Sequence, residues 1–437
     1  DPLSLKNESL IFKKGRNSIG YRESNQIVLS CPIFWTLNLM INYKIKTFSD
    51  ISSKGLEVLS DTCCALDEKS KDPDGLLVRS TKIDQGVLNS SLKAISRAGA
   101  GVNNIPIDIC SERGIAVFNT PGANANAVKE LVLAALMLSS RNVFSSIDFV
   151  NNLQHLESME DLESFLEENK KRFKGRELYG SSLGVVGLGA IGSKVAKMGV
   201  ALDMKVIGYD PALSVEAAWK LPSQVLPAKS LEDLFANSDF ITLHIPAIES
   251  TKEIVNSKLL TKVKNASLLN FARHEVVDHT AILEALENRS LKNFITDFPT
   301  PQLIKRANDK GDVILLPHIG ASTLQAEENC AVMAVDQIRD FLENGNITNS
   351  VNFPNVSLPQ ATSYRITITN KNVPAMIGQI ATSLGDLGLN ISDMTNVSRG
   401  DLAYNLIDIE NEVTKEALEK LSAIENIINV RLITKSS

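Results

Sequence analysis

The chain has 437 residues, of which 43% are hydrophobic and 22% charged, and its formal net charge is −6. That length exceeds one ordinary core and predicts two or three globular domains. The acidic balance excludes a basic nucleic-acid face, no apolar run reaches bilayer-spanning length, and the five cysteines form no C-x-x-C pair. Neither nucleic acid nor membrane is therefore expected as a partner, no metal site is expected, and the thiols read as small buried side chains of a cytoplasmic protein.

Residues 1–40 open polar and aperiodic, and the apolar run 29–41 is interrupted by Pro32 and Asn38. This stretch is expected to be a poorly structured extension. From 44 onward, strand-like runs at 44–47, 75–79, 94–98 and 116–118 alternate with helical stretches at 52–59, around 84–88 and at 108–113. That alternation predicts a doubly wound parallel sheet. A long amphipathic helix over 126–140 and an acidic, solvated helical connection over 156–171 follow.

The most specific signal comes next. The run 183–186 predicts a strand, 193–202 a helix and 204–208 a second strand, with Gly187, Gly189 and Gly192 spaced as G-x-G-x-x-G in the first turn. This is a βαβ dinucleotide unit: one glycine for the tight turn, one for backbone approach to a pyrophosphate, one for close helix–strand packing. The helix start, with Ala190 and Ile191, offers unpaired N–H groups to phosphates. Asp210 follows 18 positions after Gly192 and suits the ribose hydroxyls. Pro211 and Ala212 come next, with no cation for a 2′-phosphate, which favours NAD as the cofactor. Later strands are expected at 240–244, 267–270, 293–296 and 313–316, and a second long helix at 323–343.

Pro354 and Pro359 bracket an extended linker, assigned to 351–361. Beyond it, strands at 364–369, 389–395, 402–409 and 428–433 and helices at 374–387 and 415–424 make a βαββαβ, ferredoxin-like module.

Several segments occur in order around the glycine fingerprint: Arg97-Ala-Gly-Ala-Gly-Val-Asn-Asn104, the stretch from Asn119 to Asn126, Leu243-His-Ile-Pro246, Arg273 and Pro317-His-Ile-Gly-Ala-Ser-Thr323. Together they resemble the D-isomer-specific 2-hydroxyacid dehydrogenases, and the terminal module resembles ACT regulatory domains. The resemblance implies two doubly wound parallel-sheet domains plus the ACT domain. The substrate domain would comprise 41–141 and 318–350, the Rossmann NAD domain 142–317, and the ACT domain 362–437.

It also implies roles. His318 would be the base that takes the hydroxyl proton, a task suited to imidazole, although an isolated histidine is more often structural. Arg273 would hold the substrate carboxylate in a bidentate pair. Phe271 and Ala272 would line the nicotinamide pocket, Asp297 would contact its amide, and Gly320 and His244 would lie close to the cofactor. Ala100, Gly101 and Val102 would offer backbone N–H groups to the carboxylate. Arg79 and Ser80 follow a strand-like run and suit a phosphate, as in the members acting on 3-phosphoglycerate; taken alone, Arg79 would read as an ordinary surface residue.

One departure stands out. The family holds its histidine with a Glu, and here Pro301 falls at that place, with Gln302 one position late. Gln302 is the expected partner of His318, through a hydrogen bond without a carboxylate's charge. In the ACT module Asn370, Asn372 and Asn390 occupy the places that hold an amino-acid effector such as L-serine, or they merely cap loops. The expected activity is oxidation of 3-phosphoglycerate. Another D-2-hydroxyacid dehydrogenase and a non-catalytic NAD sensor are the alternatives. A homodimer or homotetramer is expected by analogy.

Overall fold

A computed structural model describes residues 43–60 and 62–435. The expected extension at 1–40 lies outside the described residues.

Three sheets organise the chain. The first is fully parallel, in the order β2-β1-β3-β4-β5, from β1 (Tyr43–Phe48), β2 (Cys64–Leu66), β3 (Gly75–Val78), β4 (Ala94–Arg97) and β5 (Ala116–Phe118). Every residue of β3 and β5 is buried, the pattern of a parallel strand covered on both faces.

The second sheet is built from β6 (Ser182–Val186), β7 (Lys205–Tyr209), β8 (Leu226–Pro227), β9 (Phe240–Leu243), β10 (Ala266–Asn270), β11 (Leu291–Thr296) and β12 (Val313–Leu315). Its order is β12-β11-β10-β9-β6-β7-β8, all parallel. The order reverses between β6 and β9, which makes a crevice at their carboxyl ends, the place where open α/β sheets bind ligands.

The third sheet is antiparallel, ordered β14-β15-β13-β16, from β13 (Tyr364–Lys371), β14 (Ile391–Arg399), β15 (Leu402–Ile409) and β16 (Ile427–Thr434). Helices Met376–Asp386 and Lys415–Ser422 bury Ile380, Leu384, Ala417 and Leu421 against it. This is the expected βαββαβ module.

Two long helices tie the sheets together. Ala125–Ser140 follows the first sheet but packs Val128, Val132 and Leu136 against Leu183 and Val185 of the second. The expected boundary at 141 therefore cuts after a helix that belongs by packing to the nucleotide sheet. Leu324–Asn344 returns to the first sheet and packs Val335, Ile338, Phe341 and Leu342 against Ile45, Leu77 and Phe118. It starts at a Thr323 cap, whose hydroxyl accepts from the Ala326 N–H, and ends at Gly345 with a φ of 75°.

The segment expected as a linker is extended but packed. Phe353, Val356 and Leu358 are buried in the same core. The Asn352 side chain accepts from the Val117 N–H and donates to the Ile115 carbonyl, so it completes the edge of β5. A helix the pattern did not suggest, Val143–Asn151, precedes the acidic helix Met159–Asn169, and Phe149 stacks on Phe165 between them at 5.8 Å. No single helix among the described residues is long and apolar enough to cross a membrane.

Candidate active site

Strand ends from both parallel sheets converge on a cavity of about 1050 Å³. Arg79 and Ser80 follow β3, Arg97 ends β4, and the Gly99–Val102 loop follows it. Arg273 follows β10, His318 follows β12, and Glu327 and Cys330 face in from the start of the Leu324–Asn344 helix. Three guanidinium groups and three carboxylates line it, and Arg97 and Arg273, which no carboxylate pairs among the described ion pairs, suit an anion.

Each arginine is held. Arg97 donates through Nε to the Arg79 carbonyl at 2.9 Å and through Nη1 to the Gly101 carbonyl. Burial depresses its pKa first, and the positive charges of Arg273 and Arg79 add to that. Arg79 pairs with Glu327 at 2.5 Å. Arg273 donates to the Ala272 carbonyl at 2.7 Å. Its turn is stapled by buried Asn270, which donates to the Arg273 carbonyl and accepts from the Ala272 N–H. The Gly99–Val102 loop is steadied by the Asn119 amide, which donates to the Ala100 carbonyl at 2.7 Å.

His318 has an exposed side chain and a φ of 53°. Its backbone N–H donates to the Asp297 carbonyl at 3.0 Å, and its ring meets Phe298 edge-on at 5.0 Å. Gln302, the expected partner of His318, is not one. It is exposed on the first turn of the Pro301–Lys310 helix and makes no hydrogen bond to His318. Pro301 at the helix start fixes that turn, and the neighbour found against the imidazole is the Phe298 ring.

The nucleotide crevice has the shape a dinucleotide needs. Gly187 has a φ of 86°, and a Cβ there would meet the His244 carbonyl at 2.5 Å. A Cβ on Gly192 would come within 1.8 Å of the Gly187 carbonyl oxygen. A Cβ on Gly189 would meet no protein atom within 4 Å, so that side of the loop is open for a ligand. Helix Gly192–Ala201 begins there, and Ala190 and Ile191 lead into it. Asp210 borders a second cavity of about 460 Å³ beside Tyr209 and Pro211, while its carboxylate accepts from the Leu188 and Ala212 N–H groups.

Deeper in, Asp297 is 1% exposed; one carboxylate oxygen accepts from the Gly320 N–H at 3.0 Å and the other has no partner. Burial pushes its carboxyl above the usual aspartate range. His244 bonds Thr242 at 3.0 Å, and burial drops its pKa to about 3. Phe271 and Ala272 are buried at the end of β10. These groups fit a dinucleotide: an open glycine cradle, helix N–H groups, an acid beside the second cavity and an orphaned carboxylate oxygen able to receive an amide.

The ACT asparagines do not meet within one chain. Asn370 is buried, accepts from Asn405 and donates to the Lys371 carbonyl. Asn372 donates to the Gly400 carbonyl. Asn390 bonds Glu410 at the other end of the sheet. Among the described residues no cluster suited to a metal occurs. Sequence reasoning missed Arg97, Asn270, Phe298 and Glu327 as site residues. Arg97 was legible as a charge at a strand end, but the glycines beside it carried the signal.

Residues 141–320 match the family model described as "D-isomer specific 2-hydroxyacid dehydrogenase, NAD binding domain". The chain is 35% identical to a D-3-phosphoglycerate dehydrogenase of Methanocaldococcus jannaschii over 295 residues, 66% of this chain and 53% of that protein. It is 35% identical to a hydroxypyruvate reductase of Thermotoga maritima over 276 residues, 61% of this chain and 83% of that protein. A crystal structure of NAD+-bound 3-phosphoglycerate dehydrogenase from Entamoeba histolytica superposes with a TM-score of 0.56 at 29% identity, covering 71% of this chain and 98% of that one. The chain spans about half the length of the first D-3-phosphoglycerate dehydrogenases it matches. With a relative matched over most of its length, and with its glycine crevice and arginine–histidine cavity, the chain belongs to the D-isomer-specific 2-hydroxyacid dehydrogenase family.

Proposed function

We propose that the chain is an NAD-dependent D-3-phosphoglycerate dehydrogenase, which oxidises the 2-hydroxyl of 3-phospho-D-glycerate to the ketone of 3-phosphohydroxypyruvate. The observation that carries this reading is the convergence of Arg79, Arg97, Arg273 and His318 on one cavity. A substrate with a carboxylate at one end and a phosphate at the other needs separate cationic anchors.

Arg273, beside the Gly99–Val102 turn, holds the carboxylate and orients C2. Arg79 and Ser80, which follow β3 into the cavity, hold the phosphate. His318 removes the hydroxyl proton at its ring nitrogen as charge develops on the oxygen. Arg273 stabilises that charge. NAD, which the glycine crevice would hold, would supply the hydride acceptor for the C2 hydrogen. The orphaned oxygen of Asp297 would take the nicotinamide amide, and Asp210 the ribose.

The imidazole of His318 has no carboxylate partner in the described hydrogen bonds, and that favours the non-catalytic NAD-binding alternative. Formation of NADH from NAD and 3-phosphoglycerate by purified protein decides between them. NAD binding without turnover in either direction would sink the enzyme reading. Turnover of unphosphorylated 2-hydroxy acids alone would favour the other dehydrogenase reading.

Two further readings rest on the surface. Phe144, Ile147 and Val150 are exposed along helix Val143–Asn151, whose other face is covered by Phe165 and Phe173. We assign that apolar row to a second copy of the chain, making a homodimer. Antiparallel pairing of two β14 edges would bring Asn390 of one copy toward the Asn370 end of the other, where L-serine would bind, and that pairing would join two dimers into a tetramer. Serine-suppressed turnover would support that site, and turnover indifferent to serine would remove it. The four described cysteines are free, in keeping with a cytoplasmic location.

A further inference from the structure

Glu327 occupies the cavity in a way the chemistry above does not use. Its carboxylate bonds Arg79 at 2.5 Å, across 248 positions of sequence, and both side chains are partly open to solvent. The other two guanidinium groups bond main-chain carbonyls: Arg97 those of Arg79 and Gly101, Arg273 that of Ala272. Arg79 is thus the cavity arginine neutralised by a carboxylate. Of the three acidic side chains lining the cavity, Glu275 pairs with His274, and Asp108 lies in the first turn of helix Ile107–Glu112.

A phosphate monoester carries close to two negative charges near neutral pH. If it takes Arg79, it must either displace Glu327 or share one guanidinium with a like charge a few ångströms away, which is unfavourable in a partly desolvated cavity. Glu327 lies in the first turn of the Leu324–Asn344 helix, which begins six residues after His318. Phosphate arrival at Arg79 therefore acts on the helix start that follows the base.

We propose, resting on the reading of a phosphorylated substrate, that Glu327 is a specificity-determining placeholder: it occupies Arg79 in the empty site and must yield it to the substrate phosphate. The exchange keeps Arg79 from capturing weak anions, and it sets how tightly a phosphorylated substrate is held. A substrate with only a carboxylate reaches Arg273 and does not trigger the exchange.

The test is Glu327→Gln, with Glu327→Ala as a second variant. KM for 3-phosphoglycerate should fall about fivefold, the scale of a partly exposed ion pair, while KM for D-glycerate stays unchanged. Inorganic phosphate, measured by calorimetry, should bind tighter by a similar factor. Glu328→Gln, which breaks an ion pair to Lys54 outside the cavity, should change neither. A rise in KM for 3-phosphoglycerate would mean that Glu327 serves only to orient Arg79, and would overturn the proposal. Equal changes for both substrates would overturn it too. If the wild-type protein turns over no 3-phosphoglycerate, the functional reading fails, yet the phosphate calorimetry still reports on Glu327: unchanged affinity in both variants would reject the placeholder by itself.

Discussion

Arg365 and Asp408 form an ion pair in which both side chains are 0% exposed, with Arg365 Nε 2.6 Å from a carboxylate oxygen. The pair joins β13 to β15, and it reaches outside the terminal sheet. Arg365 also donates to the Asn344 carbonyl at 2.9 Å, and Asp408 accepts from the Ala361 N–H. Arg431 donates to the Phe341 carbonyl and Tyr404 to that of Gly345. Side chains of the terminal sheet thus bond carbonyls at the end of the Leu324–Asn344 helix: that of Asn344, that of the cap residue Gly345, and that of Phe341, which also accepts from the Gly345 N–H; cations are favoured there by the helix dipole. The other end of that helix borders the cavity. At about 1.5 Å per residue it is a rod of roughly 30 Å between the two.

Breaking one member of this pair strands a buried charge. Asp408→Ala should destabilise the protein by about 3–5 kcal/mol, read as a lower urea midpoint. The double change Arg365→Met with Asp408→Leu should recover most of that loss, because no buried charge is left alone. A single variant within about 0.5 kcal/mol of wild type would show that water reaches the pair.

The glycine loop gives a sharper outcome. A Cβ on Gly192 would come within 1.8 Å of the Gly187 carbonyl, a backbone atom that cannot swing aside. Gly192→Ala should weaken NAD binding at least about a hundredfold, through displacement of the loop from the helix. Gly180→Ala is a useful contrast: that residue has a positive φ (69°), which Gly192 does not, but no protein atom lies within 4 Å of its Cβ position. It should cost about 1 kcal/mol of stability through backbone strain and leave NAD affinity intact. Equal affinity in both variants, by fluorescence titration, would refute the steric argument.

Much of this was legible because the signals were local. The buried runs of β3, β6 and β9 and the spacing of Gly187, Gly189 and Gly192 depend on neighbouring residues only. The misses were of two kinds. Cys64–Leu66 and Leu226–Pro227 are edge strands of three and two residues, too short to show a period and dependent on a neighbour for pairing. The contacts of Arg79 with Glu327 and of Asn352 with β5 join residues hundreds of positions apart, and local pattern carries no trace of them. Gln302 failed for a related reason. It stands one position past the family's place for the Glu, and Pro301 starts a helix that turns the side chain out to solvent.

His244 supplies a pH dependence. Burial lowers its pKa to about 3, whereas in the unfolded chain it takes a proton near pH 6.5. Between those values the unfolded state binds the extra proton. Stability should therefore fall as pH drops below about 6.5, by up to about 1.4 kcal/mol per pH unit from this group. His244→Asn should flatten that slope in urea titrations at pH 4.5–7. A wild-type slope unchanged by the substitution would assign the acid sensitivity to other groups.

Asp297 works in the opposite sense. Burial raises its carboxyl, and the Gly320 N–H together with the charges of His318 and Arg273 offsets part of that rise. The folded protein holds this proton up to a higher pH than the unfolded chain, which loses it near pH 4. Stability from this group is therefore lost as pH climbs from about 4 through the raised native value, and stays level above it. Asp297→Asn removes the ionisation and can keep an oxygen facing the Gly320 N–H. Its melting temperature should exceed that of wild type at pH 7, and the gap should close below about pH 4. The same substitution places an amide where the orphaned carboxylate oxygen would receive the nicotinamide amide, so NAD binding should weaken while stability rises. A variant that is less stable at pH 7 would show that the carboxylate is held by interactions stronger than its burial cost. One that is more stable but binds NAD as before would remove Asp297 from the cofactor site.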